Sequence, residues 1–270
     1  LVNVIERAVA LADSEEITNV LRVPEFDNEH FVFFATRNGT VKKTPLERYS
    51  RPKKGGIRAI KLDDSDAVVA VALCKPGDTL VLGTAQGKAI RFDEKAARSM
   101  GRTSFGVRGI RLREKDRVVG LLVAAPDEFI LTACQHGHGK RSPVSEYPIK
   151  GRGGQGVINI QAGERNGEVV GIDQCREADD AMFITAQGMI VRSPVSEMRP
   201  MGRNTQGVRL VNLKDDDQLV AMEIISAVEL EEYQQLSTPR RTRPPILDAA
   251  EGIDGEDATE EEEDEDEEDA

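Results

Sequence analysis

The stretch KGRGGQGVINI, residues 150–160, joins a basic, glycine-rich loop to a short run of β-branched residues. Such glycines can cradle the phosphates of a nucleotide, or let a basic loop lie close to a nucleic-acid backbone. The surrounding chain decides between the two. GVINI from Gly156 recurs as GIRAI from Gly56, GVRGI from Gly106 and GVRLV from Gly207, at spacings of 50, 50 and 51 residues. A second marker keeps step with the first: TRNGTVKKT around Gly39, TAQGKAIRF around Gly87, CQHGHGKRS around Gly137 and TAQGMIVRS around Gly188. A third is the dipeptide Gly-Arg at Gly101-Arg102, Gly151-Arg152 and Gly202-Arg203. Three markers in one register make the chain an internal repeat.

Each unit reads in the same order. A leading strand such as GVRGIRL passes through a polar turn (REKD, KLDDSD or KDDD) to an apolar strand such as RVVGLLVA or AVVAVAL. A hairpin follows, as in AMFITAQGMIVRS, whose glycine suits the positive φ of a tight turn. Short strands with turns every ten residues or so, and little helical periodicity, predict an all-β fold. A period near fifty with about four strands per unit predicts a propeller-like array. The units are expected at about 1–55, 56–105, 106–155 and 156–206, with a partial one at 207–229, and EEITNVLRV is expected as the inner strand of the first. Residues 230–250 read as a short helix and a basic, Pro-rich linker. Residues 251–270 read as a disordered tail with too little apolar surface to repay its ordering entropy.

Charge divides the same way. The net charge of −12 hides 14 carboxylates and no base in residues 251–270, which leaves 34 acids against 36 bases in the rest. The absence of Trp and an aromatic content of 4% put the core on Val, Ile, Leu and Ala. No apolar run reaches the roughly 20 residues of a membrane span, and Cys74, Cys134 and Cys175 are far apart and odd in number, as expected in a reducing compartment.

GVRGIRL, GHGKRSPVSEYPIKGRG, GVINI, ERNGEVVG and MGRNTQGV resemble the C-terminal DNA-wrapping domain of the bacterial DNA gyrase A protein, over residues 1 to about 229. The resemblance implies a six-bladed β-pinwheel, a propeller variant whose neighbouring blades exchange a strand, with DNA bent around a basic perimeter. It implies a chain that begins inside the domain and a bacterial cytoplasmic, nucleoid-associated setting. The implied partners are duplex DNA, the remainder of the gyrase A protein, and gyrase B. ATP and Mg2+ would be bound elsewhere in the holoenzyme, and this chain would carry no cofactor. The family's Gln-Arg-Arg-Gly-Gly-Lys-Gly box is echoed by Arg152-Gly153-Gly154-Gln155-Gly156, and more faintly by Lys54-Gly55-Gly56. The A protein of topoisomerase IV has the same fold, usually with fewer or degenerate blades. A protein-binding propeller scaffold is the distant alternative.

Duplex DNA is gripped without sequence preference by bases set along the phosphate path. One site per blade would make a belt. The candidates after the hairpin glycines are Lys42, Lys43, Arg91, Lys140, Arg141 and Arg192. The inter-blade loops add Arg48, Arg51, Lys53, Lys54, Arg98, Arg102, Lys150, Arg152 and Arg203. Arg58, Arg108, Arg111 and Arg209 on the leading strands are weaker candidates, since strand residues can pair with a neighbouring blade's acids. A nucleotide enzyme fits poorly. The stretch from residue 150 lacks the Gly-Lys-Ser or Gly-Lys-Thr closure of a P-loop and runs into a strand. Tyr49, Tyr147 and Tyr233 stand outside any catalytic constellation, so this chain alone is not expected to be an enzyme. Cys134, His136 and His138 alternate as metal ligands on one strand would, yet they align with ordinary turns, and no metal site is expected. The acidic tail is read either as a tethered competitor for the basic rim or as a solubilising, partner-binding segment.

Overall fold

Four β-hairpins carry the fold, each turning on a glycine whose φ lies between +76° and +84° (Gly39, Gly87, Gly137 and Gly188). The computed structural model describes residues 17–53, 56–214 and 216–228. The hairpins are β1 (Phe31–Thr36) with β2 (Thr40–Pro45), β4 (Thr79–Thr84) with β5 (Lys88–Asp93), β8 (Phe129–Cys134) with β9 (His138–Pro143), and β12 (Asp180–Thr185) with β13 (Ile190–Pro194). In each, the glycine amide donates to the carbonyl three residues back, at 3.0 Å. A side chain there would have to adopt the left-handed region that costs a non-glycine residue energy.

The apolar strands β3 (Val68–Cys74), β7 (Val118–Ala124), β11 (Val169–Cys175) and β15 (Leu219–Ile225) pair with β1, β4, β8 and β12 respectively, always in antiparallel register. They are the inner strands, and they pack on one another in succession. Glycines set that close approach. A Cβ on Gly83 or Gly120 would come within 2.7 or 2.6 Å of Ile172 Cγ2. Ile172 therefore fills the space those two glycines leave open.

The outer edge of each blade comes from further along the chain. The two-residue strand β6 (Val107–Arg108) pairs with β2, β10 (Val157–Ile158) with β5, and β14 (Val208–Arg209) with β9. The sheet orders are thus β3-β1-β2-β6, β10-β5-β4-β7, β11-β8-β9-β14 and a three-stranded β13-β12-β15. Every complete blade draws a hairpin from one sequence unit, an inner strand from the next and an outer strand from the one after. This is the strand exchange of an all-β pinwheel. The leading stretches were expected as full strands, but only two residues of each pair as strand. Beyond them the amides of Gly109 and Ile110 turn onto Gly39 O, those of Asn159 and Ile160 onto Gly87 O, and those of Leu210 and Val211 onto Gly137 O.

The exchange also explains two expected strands that do not form. An inner strand is paired by the hairpin of the preceding unit, and no such hairpin precedes residues 17–23 among the described residues. That part of EEITNVLRV runs without strand pairing, and Leu21 and Val23 pack against Val32, Phe34 and Leu46 instead. GIRAI, residues 56–60, likewise has no hairpin to close among the described residues. The expected helix, linker and acidic tail after residue 229, and Lys54, lie outside the described residues. No helix among the described residues is long and apolar enough to cross a membrane.

Candidate nucleic-acid interface

Being furthest from the inner strands, β2, β5 and β9 would face solvent if the sheets ended there. They do not. The outer strand covers one end of each, and the inter-blade loop covers the other. Met100 N donates to Lys43 O at 2.8 Å, Lys150 N to Arg91 O at 2.8 Å and Met201 N to Arg141 O at 2.9 Å. Parallel bridges Lys43–Ser99, Arg91–Ile149 and Arg141–Pro200 fix the same three contacts.

Five of the bases expected to face phosphate are therefore inside. Lys42 is fully buried, and its Nζ donates to Ala59 O at 2.5 Å and Arg102 O at 2.6 Å. Lys140, 1% exposed, donates to Ser142 Oγ at 2.6 Å and Gly202 O at 2.9 Å. Burial lowers both ammonium pKa values, to about 8 for Lys42 and about 7 for Lys140, with the nearby Arg102 and Arg203 charges acting in the same direction. Lys43 pairs with buried Glu94 at 2.5 Å and stands over the Phe31 ring. Arg91 donates to Thr79 Oγ1 at 2.9 Å and to Val144 O at 3.2 Å. Arg141, 2% exposed, lies over the Phe129 ring with its carbon 4.7 Å from the centroid, and reaches Glu177 at 3.4 Å. These five cations bind the exchanged strands and loops into the blades; none is free to meet a phosphate.

The Gly-Arg arginines form a second, half-buried class. Arg152 donates from Nε to Ala96 O at 2.7 Å and from Nη1 to Arg108 O at 2.8 Å. Arg203 does the same to Glu146 O and Ile158 O, at 3.0 and 2.9 Å, and Arg102 reaches Arg58 O at 3.4 Å. Each clamps its loop to the leading stretch of its own unit. Arg192 is exposed and pairs with Asp180 at 2.5 Å.

Arg48, Arg51, Lys53, Arg98 and Lys150 form the third class. All are exposed, and none has an ion pair among the described residues. Arg98 and Lys150 ride on the loops outboard of β2 and β5. Arg199 precedes its bridging residue outboard of β9 as Arg98 does outboard of β2, while Lys150 follows its own, and Arg199 was not among the residues singled out from sequence. The signal was present, because Arg199 precedes Arg203 by four residues as Arg98 precedes Arg102. Arg58, Arg108, Arg111 and Arg209 are exposed as well, so the leading stretches present bases beside the loops.

Cys134, His136 and His138 do not share one strand face. Cys134 ends β8, His136 sits exposed at the turn, and His138 is buried at the start of β9. The three free cysteines are buried, and burial pushes each thiol up to about 12.

A sequence profile described as the DNA gyrase C-terminal domain, beta-propeller, matches residues 30–75, 78–125, 128–176 and 179–226, one match for each hairpin and its inner strand. The chain belongs to the DNA gyrase C-terminal domain family. The DNA gyrase A protein of Salmonella typhimurium is 42% identical over 216 residues, and that of Escherichia coli K12 is 43% identical over the same length. Each alignment covers 80% of this chain and 25% of the relative, so the chain spans about a quarter of the length of these gyrase proteins. Among solved structures, the C-terminal domain of DNA topoisomerase IV superposes with a TM-score of 0.79 at 25% identity, covering 86% of this chain and 73% of the other. A gyrase A C-terminal domain superposes at 0.74 and 23% identity, covering 82% and 74%, a likeness of fold. The gyrase-family pinwheel thus accounts for the fifty-residue register and for the strand exchange.

Proposed function

We propose that this domain binds and bends duplex DNA around its perimeter without sequence preference, as part of a DNA gyrase A protein whose holoenzyme introduces negative supercoils. The observation that carries the reading is the recurrence of an exposed base outboard of β2, β5 and β9, at Arg98, Lys150 and Arg199. Bases so placed would set positive charge along the edges of successive blades. Neutralising phosphates along them releases counterions and offsets the elastic cost of bending, which is roughly several kcal/mol for a tight bend over a short site. Family membership supports the same reading. ATP and Mg2+ would be handled by other parts of the holoenzyme, together with gyrase B and the remainder of the gyrase A protein, in the bacterial cytoplasm at the nucleoid. The chain alone would catalyse nothing. The likeness to the topoisomerase IV domain favours a second reading, in which the same perimeter selects DNA segments without wrapping them.

The test is binding to unrelated duplexes across a salt series, followed by ligation of the bound DNA into circles. Salt-dependent binding with a linking-number change supports wrapping. Salt-dependent binding without that change supports the second reading. Binding without salt dependence overturns both.

A further inference from the structure

On the described inter-blade loops one aromatic side chain is exposed, that of Phe105, at 42%. It immediately precedes Gly106, the place that Gln155 and Gln206 hold in the next two blades. Both glutamines are exposed too, although each has a preceding blade packed beside its own. Solvent exposure therefore belongs to the position itself.

The backbone on either side of Phe105 is pinned. Ser104 Oγ donates to Gly101 O at 2.7 Å, and Ser104 O accepts from Lys61 N at 3.1 Å. Gly106 has a φ of +109°, and a Cβ there would lie 2.5 Å from Val41 O. Lys61 Nζ stands over the Phe105 ring, 4.5 Å from its centroid. The ring is thus held out on a rigid base, and little entropy is lost when a partner covers it.

Its surroundings are basic. Arg58 and Lys61 on the preceding leading stretch and Arg108 on β6 are all exposed. Asp63 and Asp66 line the cleft beside the ring, and Asp66 already accepts from Asn38 N and Ala67 N at 2.9 Å. Cations so placed meet phosphates, whereas an exposed ring gains by leaving water against an apolar group. In a duplex, the apolar group that a side chain can reach is the thymine C5-methyl in the major groove. A ring driven into the minor groove would wedge a base step and kink the duplex toward its major groove. That kink points away from the protein, opposite to a bend around the perimeter.

We propose that Phe105 contacts thymine methyl groups in the major groove of the bound duplex and so gives the wrap a preferred register. The inference rests on the DNA-binding reading and adds to it a weak base preference at one blade. Burying one methyl group corresponds to about a fourfold gain in affinity.

The test compares binding of the 270-residue chain to two versions of one duplex across a salt series. One version carries thymine, and in the other every thymine is replaced by uracil, which lacks only the 5-methyl group. The unaltered chain binds the thymine duplex about fourfold more tightly. Phe105→Ala binds both duplexes alike, with the salt slope of the unaltered chain, and Phe105→Leu keeps part of the difference. Salt-dependent binding that is equal for the two duplexes overturns the inference, leaves the ring to a protein contact and leaves the DNA-binding reading standing. A thymine preference undiminished in Phe105→Ala also overturns it, because another residue then meets the methyl. Binding without salt dependence overturns the DNA-binding reading and the inference with it.

Discussion

Replacing Lys140 with Met separates a buried structural cation from a DNA-binding one. The substitution keeps the stem volume but leaves Ser142 Oγ and Gly202 O without the Nζ donor that reaches them at 2.6 and 2.9 Å. Stranding the buried Ser142 hydroxyl costs about 1–3 kcal/mol. The pH dependence is more diagnostic. Burial lowers the Lys140 pKa to about 7, while in the unfolded chain an ordinary lysine titrates near 10.4. Above pH 7 the folded domain has released this proton and the unfolded chain still holds it. The unfolded state then binds more protons, and stability rises with pH. Integrated from pH 7 to pH 9 the gain is about 2 kcal/mol, and Lys140→Met lacks it. The stability gap between the two proteins should therefore widen by about 2 kcal/mol over that range. For a domain of this size that corresponds to roughly 4–8 °C in Tm. Chemical denaturation at several pH values measures it. A gap that stays constant would refute the reasoning, as would a Lys140→Met protein of unchanged stability whose DNA affinity falls as an exposed base's would.

Four further outcomes test other parts of the account. Arg98→Ala, Lys150→Ala and Arg199→Ala should each lower the slope of log affinity against log salt by about 0.9, with unfolding free energies unchanged to within about 0.5 kcal/mol. Gly87→Ala should destabilise by about 2 kcal/mol or more in denaturant titrations, since φ is +76° and the new Cβ would sit 2.3 Å from Ile160 O. Burial raises the Asp173 pKa to about 6, with the Glu223 charge adding to it; stability should fall as pH rises from 4 to 6, and Asp173→Asn should flatten that fall in thermal melts. Deleting residues 251–270 should tighten DNA binding at low salt in a titration, because it removes 14 tethered carboxylates.

The repeat was legible because it rests on local chemistry. A hairpin glycine with positive φ, an apolar run and a Gly-Arg loop each carry their signal within a few residues, and all four hairpins formed at the marked glycines. The exposed loop bases were legible for the same reason, Arg98 and Lys150 directly and Arg199 through its register with Arg203. Lys42 and Lys140 were not. Both follow a turn, where a charged residue ordinarily meets water, and in these blades the groups that bury them arrive from 60 and 62 residues further along the chain.

The sequence by itself determined the all-β repeat, its period, its turning points and the family, because backbone conformation and hydrophobic patterning are set by neighbouring residues. Only the tertiary structure decided which cations face solvent and which are buried between blades. Strand exchange brings three successive units into one blade, and burial then depends on contacts that no single unit contains.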